Sequence, residues 1–251
     1  MKNFSFLNKG LPPFLGLAFF LLVWQIGSGF YNQVVLPSPV EVAHTFWNLA
    51  AGGELLEHGR LSIIRGLTGF GLALILGLPL GLLIGLNGAA ASLFRPLVVV
   101  LQVIPLVSWL LLALIWIGFS KVPVFVVFVT TIPLIIINTV HGVENVDGQL
   151  LQMASVFRIG RLRVIREIYL PQIAPYIMAG VSAAIGTTWK AVAMAELLSV
   201  HQGIGSGMAL ARMNLNTAAL FAWTIFLVFL GLLTDRLLAY LMRWKLRRWG
   251  Y

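Results

Sequence analysis

The sequence has no cysteine, which excludes disulfides, thiolate chemistry and cysteine-held metals. Charge is scarce too: Asp, Glu, Lys and Arg together make 10% of the 251 residues, against about a quarter in a water-soluble domain. That leaves too little polar surface to cover a globule in water. The phosphate-loop signature G-x-x-x-x-G-K-[ST] is absent, so the chain does not itself hydrolyse ATP. Neither an H-E-x-x-H zinc helix nor a G-x-S-x-G nucleophile elbow occurs, and His44, His58, His141 and His201 are scattered. No catalytic residue, metal site or cofactor is expected.

What is present is apolar sequence, 59% of the residues. Lipid offers backbone groups no partners, so only helices or closed barrels can span it, and these runs are continuous rather than alternating. An all-α membrane protein follows. Stretches of roughly 20 residues, enough to cross about 30 Å of hydrocarbon, predict six spans, near 11–31, 61–86, 97–119, 122–140, 175–200 and 220–241. The first run, preceded by Lys2 and Lys9 and ended by Gly27, Ser28 and Gly29, also resembles a secretory signal, but it exceeds the usual apolar core and lacks an A-x-A-like site.

The formal charge of +9 is read as topology rather than nucleic-acid binding. With a cytoplasmic N-terminus, the inner segments hold Lys2, Lys9, Arg95, Arg158, Arg161, Arg163, Arg166, Arg243, Lys245, Arg247 and Arg248. The outer ones hold Arg60, Lys121 and Arg212. Eleven against three places both termini in the cytoplasm of a multi-pass inner-membrane protein.

Two connections are long enough to fold. In the outer one, Ser38-Pro39-Val40-Glu41 is a capping box with proline at the first helical position. Val40, Ala43, Trp47 and Ala50 then recur at helical spacing, predicting an amphipathic surface helix over 39–51. In the inner one, 142–171, Leu150, Leu151, Ala154 and Phe157 form one apolar stripe and Leu162, Ile165 and Tyr169 another, with Gly160 as the break. Two short arginine-edged helices are expected there. Such stripes either dock on a protein or lie on the anionic inner leaflet. Within the spans, Gly77, Gly81 and Gly85, with Gly69 and Gly71 before them, predict close helix contact, while Pro79, Pro105, Pro123 and Pro133 predict bends.

The inner loop resembles the cytoplasmic loop of ABC-importer permeases, whose pattern is roughly E-x-A-x-x-x-G followed by an apolar stretch and L-P. Here Gln152-Met153-Ala154-Ser155-Val156-Phe157-Arg158 leads to Ile168-Tyr169-Leu170-Pro171 without a gap. Ala154, Leu170 and Pro171 match; Gln152 stands for the glutamate and Arg158 for the glycine, with Gly160 two residues late. Leu36-Pro37-Ser38-Pro39, Ile132-Pro133-Leu134 through Asn138-Thr139, and Ala195-Glu196-Leu197-Leu198 through Gly203-Ile204-Gly205 extend the likeness. It is strongest to the branch importing nitrate, sulfonates, taurine, bicarbonate or thiamine precursors.

The resemblance implies a type I importer fold, paired with a second permease copy, homodimeric or similar. Two cytoplasmic ATPase subunits would bind the ATP, and an extracytoplasmic binding protein would deliver solute. The coupling residues it implies are Gln152, Ala154, Phe157, Arg158, Gly160, Leu162, Ile165, Leu170 and Pro171, with Phe157, Leu162 and Ile165 as anchors.

Charge inside a span is costly and marks function. At 1.5 Å per residue from Pro175, Lys190 lies about 22 Å and Glu196 about 31 Å along the fifth span, in its outer half. Lys190 either faces a central pathway suited to an anion, or snorkels outward, or pairs with Glu196 or another helix. Gln102, Ser108, Trp109, Asn138 and Thr139 are further pathway candidates, each also able to serve as an interhelical hydrogen-bond partner. Asp235 and Arg236 suggest a structural charge cluster. The competing function is a self-powered secondary transporter or channel, which would need coupling carboxylates or a polar filter within the spans; Glu196 is the one acid placed for it.

Overall fold

The computed structural model describes residues 11–246, and every regular element in that range is helical. The helices are α1 (Leu11–Ser28), α2 (Pro39–Ala51), α3 (Glu54–Leu86), α4 (Gly88–Val103), α5 (Leu106–Ile117), α6 (Val122–Glu144), α7 (Gly148–Val156), α8 (Arg161–Val164), α9 (Leu170–Ser199), α10 (Ile204–Met213) and α11 (Thr217–Leu246). Four stretches are long and apolar enough to cross a membrane: Glu54–Leu86, Phe119–Glu144, Leu162–Ser199 and Thr217–Tyr240. A fifth arises if α4 and α5 are one broken span, and α1 is a shorter apolar helix.

Local chemistry sets the ends. The capping box forms as expected: Ser38 N donates to Glu41 Oε2 at 2.9 Å and Glu41 N to Ser38 Oγ at 3.3 Å, with Pro39 in the first turn of α2. Asn87 Oδ1 accepts from Ala89 N and Ala90 N to start α4.

The expected single span over 97–119 is two helices crossing at 97°. Pro105 denies a backbone donor and pushes Ile104 to an extended conformation, φ −61° and ψ 125°, so the helix stops rather than bends. Pro123 likewise lies in the first turn of α6, where it starts a helix instead of kinking one. Helix α3 runs unbroken through Pro79, and α6 through Pro133.

Helices α3, α6 and α9 make the core. Gly77, Gly81 and Gly85 meet Ile135, Thr139 and Val143 in turn, so α3 and α6 run parallel in contact. A Cβ on Gly81 would stand 2.6 Å from that of Thr139, a spacing only glycine permits. Gly69 abuts Val124 and Val127, whereas Gly71 faces open space. Helix α9 runs antiparallel to α6: Gly142 meets Ile173 and Tyr176, and Gly180 meets Asn138. Thus α2 and α10 lie at one end of the bundle and α7 at the other.

Candidate functional site

At the α7 end, Asp147 caps α7 by accepting from Gln149 N at 2.8 Å, while its own N–H donates to Gln172 Oε1 on α9 at 2.8 Å. The helix ends in a Schellman motif: Arg158 N donates to Ser155 O at 3.1 Å and Ile159 N to Ala154 O at 2.9 Å. That motif needs a left-handed residue, and Arg158 supplies it at φ 49°. The chain therefore turns at Arg158 and not at Gly160, whose carbonyl instead accepts from Arg163 N and Val164 N to open α8. A glycine would hold that position without steric cost.

The second loop element is not a separate helix. Helix α8 passes through a π-helical turn, Ile165–Tyr169, directly into α9. Leu170 N donates to Ile165 O, five residues back, and Pro171 has no N–H to offer the preceding turn. The loop is thus one short helix, α7, folded back on an extension of α9.

The apolar stripes separate accordingly. Leu151, Ala154, Ile159, Val164, Ile165, Tyr169 and Leu86 line a groove of about 340 Å³, with Ala154 buried. Phe157 and Leu162 instead stand 72% and 81% exposed, joined by Val156 and Met153. Gln152, Arg158, Gly160, Arg163 and Arg166 surround them, all exposed. Ile165 is half exposed; Leu170 and Pro171 begin α9. Phe157 caps α7 rather than continuing its inner stripe. Nearby, Arg95 pairs with Glu144, and His141 Nδ1 lies 3.6 Å from the same carboxylate.

Among the pathway candidates, Gln102 and Ser108 are exposed on either side of the α4–α5 break. Trp109 packs edge-on against Phe125 at 6.3 Å, and its buried indole N–H has no acceptor among the described residues. Asn138 is half-buried and donates to Leu134 O of its own helix at 2.8 Å. Thr139 is buried and donates to Ile135 O at 2.7 Å. Lys190 is exposed on α9, on the same face as Ala183 and Gly186. No ion pair to Asp235 or Arg236 is found among the described residues.

Glu196 is fully buried, and its partner is not Lys190. Arg65 Nη1 donates to Oε1 at 2.7 Å, Ser62 Oγ to Oε2 at 2.6 Å and Gly205 N to Oε2 at 3.1 Å. Arg65 Nη1 also reaches Gln202 O, and Ile204 N donates to Ser62 Oγ at 2.8 Å. This clamp joins α3, α9 and α10. Gly203, at φ 128°, passes so close that a Cβ would stand 2.4 Å from the carboxylate. His58 Nδ1 lies 3.1 Å from Gly203 N, and its ring sits tilted against that of Trp223 with centroids 5.3 Å apart. Ser62 and Arg65 escaped the sequence reading. A charge four residues into an apolar run was the signal for Arg65, which also adds a fourth basic residue to the segments counted as outer.

Residues 77–247 match the family described as "Binding-protein-dependent transport system inner membrane component". The chain belongs to this family. The permease is 32% identical over 251 residues to the putative aliphatic sulfonates transport permease protein SsuC of Bacillus subtilis, covering 99% of this chain and 89% of that one. It is 32% identical over 254 residues to the bicarbonate transport system permease protein CmpB of Synechococcus elongatus, covering 94% and 90%. Escherichia coli SsuC is 35% identical over 234 residues, covering 92% and 89%. In fold, the permease matches a chain of the inward-facing MetNI methionine ABC transporter with a TM-score of 0.63 at 18% identity, covering 78% of this chain and 95% of that one. The permease is therefore a multi-pass inner-membrane component of an ABC importer, a transport subunit rather than a catalytic one.

Proposed function

We propose that this permease forms half of the translocation pathway for a small oxyanion of the sulfonate or bicarbonate kind. In this reading both termini are cytoplasmic, and a cytoplasmic ATPase grips the 142–171 loop. The observation that carries the coupling role is the exposure of Phe157 and Leu162 at the tip of an arginine-edged loop. Large apolar side chains left in water forgo roughly 1.5–3 kcal/mol each, which a docking partner recovers. Because α8 runs into α9, force on the tip passes straight into a span.

The anionic solute is supported by Lys190. With Glu196 engaged by Arg65, no carboxylate among the described residues pairs with Lys190, whose face of α9 bears small residues. Charges within spans favour faces that line water or a solute path, and we assign that face of α9 to the pathway. The names of the relatives, sulfonate and bicarbonate permeases, agree with a negative solute. A self-powered transporter is disfavoured because Glu196, the acid it would use for coupling, is locked in the clamp. A second permease copy, most simply the same chain, and an extracytoplasmic binding protein complete the assembly.

The test is ATP-driven uptake in proteoliposomes containing the permease and its ATPase. Phe157→Ser with Leu162→Ser is expected to abolish ATPase co-purification and uptake while leaving the permease in the membrane. Uptake that persists without ATP, or without the ATPase, refutes the proposal.

A further inference from the structure

Helix α2 buries less of its apolar surface than it carries. Projected at roughly 100° per residue, Leu49, Val42 and Phe46 share one narrow arc. Val42 is 1% exposed, and Phe46 and Leu49 pack on the cluster that includes Leu55 and Trp223. The adjoining arc, about 100° wide, carries Ala50, Ala43, Trp47, Val40 and Ala51, all exposed. Trp47 stands 71% exposed. His44, Asn48, Glu41 and Thr45 complete the circumference as a polar arc. The stripe that sequence periodicity marks as the helix's apolar side is therefore its free side, and a different trio holds it to the bundle.

Two observations identify what covers the free arc. First, it is uncharged and centred on tryptophan, the composition that favours the headgroup boundary of a bilayer. Second, it continues a lipid-facing surface. The indole N–H of Trp24, near the end of α1, donates to Pro37 O at 3.0 Å just before α2 begins. Along α1 the side chains of Leu15, Phe19, Leu22 and Ile26 are exposed, as bilayer-embedded residues of a short apolar helix would be. Phe30 and Tyr31, also exposed, bridge from there to α2.

We infer that α2 lies in the headgroup layer at the α2 end of the bundle, an interfacial anchor with Trp47 dipping toward the acyl chains and Glu41, His44 and Asn48 facing water. Only the assignment of this leaflet as the outer one rests on the topology proposed above.

The absence of cysteine from the sequence makes the test direct. Ala43→Cys and Asn48→Cys are each labelled with an environment-sensitive fluorophore on the full chain in proteoliposomes. Emission is then quenched by a lipid carrying a shallow nitroxide or by aqueous iodide. The Ala43→Cys probe is expected to be quenched at least twofold more strongly by the nitroxide lipid, and the Asn48→Cys probe more strongly by iodide. Iodide quenching alone at Ala43→Cys would mean that the face meets water or an outer protein, and quenching by neither would mean that a second copy covers it; either overturns the inference. If Ala43→Cys fails to insert, Ala50→Cys, on the same arc, carries the measurement.

Discussion

Replacing Glu196 with glutamine tests whether the clamp holds three helices together. The substitution keeps size and shape but removes the charge that Arg65, Ser62 and Gly205 N all address with donors. A glutamine amide must turn its NH₂ toward either Arg65 or the Ser62–Gly205 pair, setting donor against donor. Breaking one side of a buried ion pair costs about 3–5 kcal/mol. Arg65 keeps 18% of its side chain exposed and retains Gln202 O, so the lower end, about 3 kcal/mol, is expected. At about 2–4 °C per kcal/mol for a chain of this size, the melting temperature of the purified permease should fall by roughly 6–12 °C. The double variant Arg65→Gln/Glu196→Gln should melt higher than the sum of the single effects implies, because each single change strands the other partner. Differential scanning fluorimetry in one detergent, on all four proteins, gives the answer. A Glu196→Gln melt within 2 °C of the parent, or strictly additive shifts, would show that the carboxylate does not carry the clamp.

Gly203→Ala should destabilise at least as much, since its φ of 128° strains any L side chain and the new methyl meets Glu196; the same melting assay checks it. Lys190→Ala is expected to lower uptake of the anionic solute at least tenfold with normal assembly, and Lys190→Arg to retain part of it; unchanged uptake by the alanine variant removes Lys190 from the pathway. At the loop turn, Arg158→Gly relieves about 1 kcal/mol of left-handed strain, whereas a β-branched Arg158→Val adds to it. Hydrogen exchange at Ile159 N–H, the Schellman donor, should slow in the first and quicken in the second.

Much of this was legible beforehand because lipid leaves few options. Apolar runs marked the helices, the Ser38–Glu41 box marked the start of α2, and the glycines of α3 marked a close helix contact, which proves to be with α6. What escaped depends on tertiary partners. Periodicity marked Val40, Ala43, Trp47 and Ala50 as one apolar face but carries no information on whether protein or lipid will meet it. Pro105 signalled a perturbation without its size, since the 97° turn depends on how α5 packs against α6. Gly160 drew attention as the natural turn residue, but the hydrogen bonds from Arg158 N and Ile159 N fixed the turn two residues earlier. Arg65 hid within an apolar run, and Lys190 was the only cation weighed as a partner for Glu196, because the α3–α9 contact that supplies Arg65 brings distant segments together.

One consequence joins the two ends of the molecule. From Leu162 to Ser199 the chain is a single rod of 38 residues, roughly 57 Å long at 1.5 Å per residue. The exposed loop tip sits at one end, Lys190 and the clamp at the other. The clamp fixes the far end to α3 and α10, and Gly142 and Gly180 seat the near half on α6. Pro171 and Pro175 both leave the rod without a backbone donor, and the π turn at Ile165–Tyr169 lies beside the first of them. A force applied at Leu162 must cross that turn before it reaches the span. Pro171→Ala restores the missing N–H and lets the turn tighten to α-helical register, which rotates the loop by up to a third of a turn against α9. The permease should still reach the membrane and bind its ATPase, yet consume more ATP per solute moved, because the grip is kept while its direction is changed. An unchanged ratio of hydrolysis to uptake would mean that the turn is a passive join, and that the rod transmits force whatever its register there.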